Sequence, residues 1–190
     1  LRDPEEGSIN LLKKPDGAFT GDYSEIDHLL REDWGPVFQK YNDQNPEPSW
    51  EAFARELGPH LPRRCPRQRV PLTPGRLRET LRKMKKNTSF GADGWRVAEL
   101  AKMPTAMLER LCQLLHTIEA TGQWPDSIII GLISPLQKGE GRTAKDVRPI
   151  TVTSAIYRLW AATRVRELLA WQEGWVSSHV SSYRPVRGCE

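Results

Sequence analysis

Lys138 and Arg148 bracket a short polar stretch, Gly139-Glu-Gly-Arg-Thr-Ala-Lys-Asp146, with Val147 between its end and Arg148. Two side chains that stay cationic at neutral pH, beside a mobile glycine-containing loop, suit a polyanion such as a triphosphate. The guanidinium makes planar bidentate contacts and the ammonium acts as a point charge. Lys145, inside the same stretch, could serve in place of Lys138. The structural alternative is a solvated lysine at a strand end and a surface ion pair between Arg148 and Asp146, worth about 0–1 kcal/mol.

A hairpin has to bring those two cations together. Ile128–Leu136 is rich in β-branched residues and ends at Pro135 and a Gly/charged cluster, and Pro149–Thr153 is a second short β-branched run. Together they predict one antiparallel hairpin over about 127–153. A long helix should start near Ser154, with Ile156, Leu159, Trp160, Ala161, Val165, Leu168 and Leu169 inward and Arg158, Arg164 and Arg166 elsewhere. Trp171 and Trp175 read as core or helix-end aromatics. Upstream, Leu108, Leu111, Cys112, Leu115 and Ile118 form the buried stripe of a helix capped at Thr105 and ended by Gly122. His116 lies beside that stripe with no carboxylate or cysteine at helix spacing, so a packed histidine is the reading.

A second candidate is electrostatic. Residues 63–86 carry 10 Lys/Arg against Glu79 alone, a balance of +9, whereas residues 1–62 carry 6 Lys/Arg against 13 Asp/Glu, a balance of −7. A local basic block of this kind is a footprint for nucleic acid that adds affinity without sequence selectivity. Part of it sits on a predicted helix: Thr73 as N-cap, Pro74 at the first position, and Leu77, Leu81 and Met84 on one apolar face. Arg76, Arg82, Lys83, Lys85 and Lys86 fill the other faces. The alternative is a solvated helix face, or a patch docked on the acidic N-terminal segment. Gly91-Ala-Asp93-Gly94 then makes a tight turn, in which Asp93 has the ordinary alternative of a turn and cap residue.

The rest of the chain supplies short elements. Residues 1–22 read as a loop, Ser24-Glu-Ile-Asp27 as the capping box of a helix ending near Trp34-Gly35-Pro36, and 42–48 as a turn-rich linker. Ser49 caps a second short helix with Trp50, Phe53 and Leu57 on one side. Residues 59–71 are a Pro/Arg-rich linker, and Trp95–Lys102 forms a short helix. The fold class is therefore α+β and mostly helical. Three domains are expected: an acidic segment at 1–62, a linker at 63–72 and a body at 73–190.

Composition narrows the function classes. At 190 residues with 38% hydrophobic content, the chain has no window of about 18 uninterrupted apolar residues for a membrane span. Cys65, Cys112 and Cys189 are odd in number and far apart, which predicts ordinary thiols in a reducing intracellular setting, nuclear or cytoplasmic, without secretion. No Cys/His spacing supports zinc. The absence of an initial Met leads us to expect an excised piece of a longer polypeptide.

Several of these stretches together resemble one family. Asp146-Val-Arg-Pro-Ile-Thr-Val-Thr-Ser-Ala-Ile-Tyr-Arg-Leu-Trp160 looks like the R-P-I-(two or three residues)-S-x-(I/L)-Y-(K/R)-L block of reverse transcriptases from non-LTR (LINE-like) retrotransposons. Gly91-Ala-Asp-Gly-Trp95 with Glu99-Leu100 resembles the preceding G-x-D-G-(I/W)…E-L block, and Trp124-Pro125 with the strand ending at Lys138 resembles the block between them. Tyr183-Arg-Pro-Val-Arg-Gly188 is similar to G-F-R-x-G-R, with Ser182 and Val186 where glycines are usual. The resemblance covers roughly 72–190 and leaves 1–70 unexplained.

It implies fingers and the start of a palm, with Lys138 and Arg148 on the incoming dNTP. Arg76, Arg82, Lys83, Lys85, Lys86, Gly91, Asp93 and Gly94 would then lie along the RNA template and DNA primer. Mg2+ is the cofactor the family implies. Its acidic ligands belong to later blocks and no Asp-Asp pair occurs here, so no catalytic or metal-ligating residue is expected in this chain. Alone it should bind without catalysing, and the remainder of the polymerase is an expected partner. Two other classes are a non-catalytic basic RNA- or DNA-binding module and a helical protein-interaction domain.

Overall fold

The computed structural model describes residues 11–42, 44–60 and 68–173. Helices take up 54% of them and the strands form two small antiparallel sheets, an α+β architecture dominated by helix. The chain divides into two compact units, Leu1–Leu61 with Ile133–Thr151, and Pro62–Leu132 with Val152–Glu190. The predicted hairpin thus groups with the N-terminal segment.

In the first unit, β1 (Leu12–Lys13) and β2 (Phe19–Thr20) pair antiparallel, Leu12 opposite Thr20 and Lys13 opposite Phe19. The loop expected over 1–22 is, among its described residues, this hairpin. Its turn is Pro15-Asp16-Gly17: Asp16 Oδ1 accepts from the Ala18 amide at 2.9 Å, and Gly17 takes φ +89°, which glycine adopts without a Cβ clash. α1 (Tyr23–Phe38) is capped by Asp22 rather than by Ser24, with Oδ1 accepting from the Glu25 amide at 2.9 Å. It also runs through Gly35-Pro36 instead of stopping there. Pro36 falls in the last turn, where the missing N–H costs one bond, and the Gln39 amide closes the end on Gly35 O at 2.8 Å.

α2 (Trp50–Leu57) begins at Ser49 as expected, the Ser49 hydroxyl accepting from the Ala52 amide at 3.0 Å. None of its residues is buried; Trp50 is 69% exposed, with its ring 5.1 Å from that of Phe53. The core of this unit is small, Leu12, Ile26, Ala144 and Val147 with Leu29 and Leu30 packed against it.

The second unit holds α3 (Pro74–Lys83), α4 (Val97–Leu100), α5 (Thr105–Thr121), α6 (Asp126–Ile129) and α7 (Ala155–Glu173). Its core is Leu72, Leu77, Leu81, Val97, Leu100, Leu108, Leu111, Cys112, Leu115, Ile118, Ala155 and Leu159. Each fully buried leucine contributes about 1.5–3 kcal/mol, so this cluster carries most of the unit's cohesion. The predicted stripe of α5 is buried in full, and Gly122 ends the helix at φ +72°. α3 starts as predicted, with Thr73 Oγ1 accepting from the Arg76 amide.

Three further expectations are corrected here. Thr105 is the first residue of α5 rather than its cap, which is Pro104 and makes no side-chain cap bond. The β-branched run does not begin a strand at Ile128: Pro125 opens the single turn of α6, Ile128 is buried in it, and β3 spans Leu132–Gln137 opposite β4 (Val147–Val152). On α7 the buried line is Ala155, Leu159, Thr163 and Arg164, while Val165 and Leu168 are 45% and 39% exposed. Arg164 turns inward because two carboxylates, Glu119 and Glu167, neutralise it there.

Candidate nucleotide and nucleic-acid interface

The loop between β3 and β4, expected to be mobile, is held by a set of hydrogen bonds. The Lys138 amide donates to Asp146 O at 2.7 Å and Gln137 Nε2 donates to Gly141 O at 3.1 Å. The Thr143 amide and hydroxyl both donate to Asp146 Oδ2, at 3.0 and 2.6 Å. Those Thr143 bonds hold the Asp146 carboxyl below its usual range, with the Lys138 charge adding to them. The backbone of Gly141 lies so close to this carboxylate that any Cβ would overlap it. Two outside bonds fix the loop's far side: the Lys13 amide donates to Arg142 O at 2.7 Å and Trp34 Nε1 donates to Ala144 O at 3.2 Å.

The Lys138–Asp146 bond sets those residues opposite each other across the ladder. Arg148, two positions on, falls on the Asp146 face of β4, while Val147 between them is buried on the other. Lys138 and Arg148 therefore belong to one face, and both are exposed. The ion pair between Arg148 and Asp146 does not form: Thr143 occupies the carboxylate, and the Arg148 guanidinium has no hydrogen bond or ion pair among the described residues. Lys145 is exposed in the 3-10 turn Ala144–Asp146.

In the second unit three of the sequence blocks meet at the start of α7. The Gly94 amide closes the turn on Gly91 O at 3.0 Å, and Gly94 takes φ +69°. Gly91 is buried against backbone, and a Cβ there would lie 2.6 Å from Thr153 O and 2.7 Å from Ser154 N. Asp93 Oδ2 accepts from the Ala155 amide at 3.1 Å and Ser154 Oγ from the Tyr157 amide at 3.0 Å, so both blocks cap α7. From the third block, the Trp124 ring sits 5.1 Å from those of Tyr157 and Trp160. Asp93 thus has the cap role, with its Oδ1 buried and unpartnered among the described residues.

The basic residues split into committed and free. Arg76 pairs with Glu167 and donates to Val70 O and Pro71 O at 3.1 and 3.0 Å, which ties the segment before α3 to α7. Lys86 bonds Leu81 O at the end of α3, and Lys83 pairs with Glu79 at 2.8 Å in an exposed i,i+4 contact. Arg82 and Lys85 are exposed, with no hydrogen bond or ion pair among the described residues.

A buried charge network, missed in the sequence because its members lie on three helices, locks this unit. The Arg164 guanidinium grips both oxygens of Glu119 at 2.6 and 2.7 Å, donates to Glu167 at 2.9 Å, and reaches Val70 O at 2.6 Å. Trp160 Nε1 adds a bond to Glu119 at 2.7 Å. Burial alone would raise the pKa of Glu119 and Glu167, but the hydrogen bonds outweigh it and both carboxyls lie below their usual range. Arg164 and Trp160 do this for Glu119, and Arg76 with Arg164 for Glu167. Beside the network, Trp124, Tyr157, Trp160, Val165 and Leu168 line an open groove of about 520 Å³. His116 Nε2 accepts from the Leu72 amide at 3.1 Å, a packing role. Burial pushes the Cys112 thiol up.

Tyr183–Gly188, Trp175, Arg63, Arg64, Arg67, Cys65 and Cys189 lie outside the described residues. Among the described ones no group of three or more His, Cys, Asp or Glu is placed to hold a metal ion. No helix among them is long and apolar enough to cross a membrane. No protein-family model matches the chain, and no curated protein matches it in sequence.

Proposed function

We propose that the chain forms the fingers and the beginning of the palm of a retrotransposon reverse transcriptase, binding template–primer and incoming dNTP while the metal-holding acids belong to later blocks. The observation that carries this reading is the meeting of three sequence blocks at one helix start: Gly91 against Thr153 and Ser154, Asp93 on the Ala155 amide, and Trp124 on Tyr157 and Trp160. Residues that resemble one family in sequence thus also hold one another in space. In this reading Lys138 and Arg148 contact the triphosphate of the nucleotide. Arg82, Lys83 and Lys85 lie along the nucleic-acid backbone, while Arg76, Gly91 and Asp93 position that surface.

The exposed, unpaired Arg82 and Lys85 also favour a second reading, a basic RNA-binding module without polymerase function. Both readings require salt-sensitive nucleic-acid binding, which filter binding of an RNA template–DNA primer duplex measures. Log affinity should fall linearly with log salt, and Arg82→Ala with Lys85→Ala should each flatten the slope by about one. Arg148→Ala should leave the slope unchanged. No binding at about 0.1 M salt, where the Debye length is still about 10 Å, would favour the protein-interaction class instead.

A further inference from the structure

We propose that Lys13, on the N-terminal hairpin, completes a triphosphate-binding surface with Lys138, Arg142, Lys145 and Arg148. This rests on the reading of the β3–β4 hairpin as the nucleotide-gripping finger. It extends the grip to residues 11–20, which none of the sequence blocks covers.

Strand geometry brings Lys13 there. Successive amides on a strand point to opposite edges. The Lys14 amide bonds Ala18 O inside the first hairpin at 2.8 Å, and the Lys13 amide points the other way and bonds Arg142 O at 2.7 Å. Side chains alternate as well: Leu12 is buried with Ala144 and Val147, so Lys13 emerges on the opposite, solvent face beside Arg142. The bond to Arg142 uses the backbone alone and leaves the ammonium free.

Charge distribution supports the assignment. Residues 11–60 carry five cations against nine acids among those described, yet five exposed cations of this unit, Lys13, Lys138, Arg142, Lys145 and Arg148, lie in the hairpin loop or beside it. Lys14, next in sequence, is neutralised by Glu25 at 3.2 Å. Lys13, Arg142, Lys145 and Arg148 have no ion pair among the described residues, and the two acids present are the exposed Glu140 and Asp146, which Thr143 holds. Like charges so placed repel one another, and an anion carrying several closely spaced charges relieves that repulsion. The hydrogen-bonded loop reduces the backbone ordering that binding would otherwise require and leaves the side-chain rotamers as the remaining cost.

Calorimetric titration of the 190-residue chain with inorganic tripolyphosphate at low salt tests this, with orthophosphate as the comparison ligand. Tripolyphosphate should bind well above orthophosphate, and Lys13→Ala should weaken it about tenfold, the size of one charge-assisted contact. Lys40→Ala, which removes an exposed cation elsewhere in the unit, should change it less than twofold. Equal effects of Lys13→Ala and Lys40→Ala would overturn the inference, as would wild-type protein that does not distinguish the two ligands. Arg148→Ala separates the layers: if it weakens binding and Lys13→Ala does not, the finger reading stands and the Lys13 assignment falls. If Lys13→Ala and Arg142→Ala weaken binding while Arg148→Ala does not, the surface is real and the finger reading falls.

Discussion

A methyl group on Gly91 would sit 2.6 Å from Thr153 O and 2.7 Å from Ser154 N, both backbone atoms that cannot turn aside. Gly75, by contrast, has only Thr73 Oγ1 within 4 Å of its would-be Cβ and lies in the first turn of α3. Gly91→Ala should therefore destabilise the second unit by about 1–3 kcal/mol, the usual cost of overpacking, whereas Gly75→Ala should be neutral or stabilise by up to about 1 kcal/mol through helix propensity. Urea unfolding of the two variants measures the contrast, and equal midpoints would show that the block junction does not bear on stability. At this scale much was legible. Thr73, Ser49, Gly122 and the stripe Leu108–Ile118 act as their types and spacing require, because caps and apolar periods are local properties. The inward turn of Arg164 was not legible, since it depends on Glu119 lying 45 residues away in sequence on another helix.

Element boundaries were read less well, for reasons that differ from case to case. The run at Ser127–Ile130 has strand composition, yet Pro125 starts a helical turn there and Ile128 is buried in it. The loop at Gly139–Asp146 has the composition of a flexible segment but is fixed by a single carboxylate and by partners from β1 and α1. The Pro15-Asp16-Gly17 turn did carry a signal for the first hairpin, a turn tripeptide between short apolar stretches. If Asp146 organises the β3–β4 loop, Asp146→Asn should loosen it. Its charge-assisted bonds from Thr143 weaken, and the Lys13 and Lys138 amides should exchange with deuterium at least severalfold faster, while amides of α5 stay unchanged. Hydrogen exchange resolved by NMR provides the measurement, and unaltered protection at Lys13 would assign the loop's order to β1 and α1 instead.

On the scale of the whole molecule, charge controls stability and, in the proposed reading, binding. Glu119 and Glu167 have folded pKa values below the ordinary carboxylate value of 4.5. Their contribution is therefore complete above about pH 4.5 and is lost as pH falls through the depressed values. The melting temperature of the second unit should hold between neutral pH and about pH 5 and drop below it. Arg164→Met should lower it even at neutral pH, because the largely buried Glu119 loses its guanidinium partner while Glu167 keeps Arg76, and breaking a buried pair costs about 3–5 kcal/mol. The segregation of charge along the chain was visible in composition alone. The use of Arg76 and Lys86 as structural ties rather than free cations was not. The polymerase reading adds one requirement that a simple RNA-binding module lacks, a nucleotide grip separable from the nucleic-acid grip. Binding of a fluorescent dNTP and of template–primer should therefore be measured side by side for the wild-type chain and for Arg148→Ala. A loss of about tenfold or more in dNTP affinity with template–primer affinity intact is the expected result; unchanged dNTP affinity would contradict the reading.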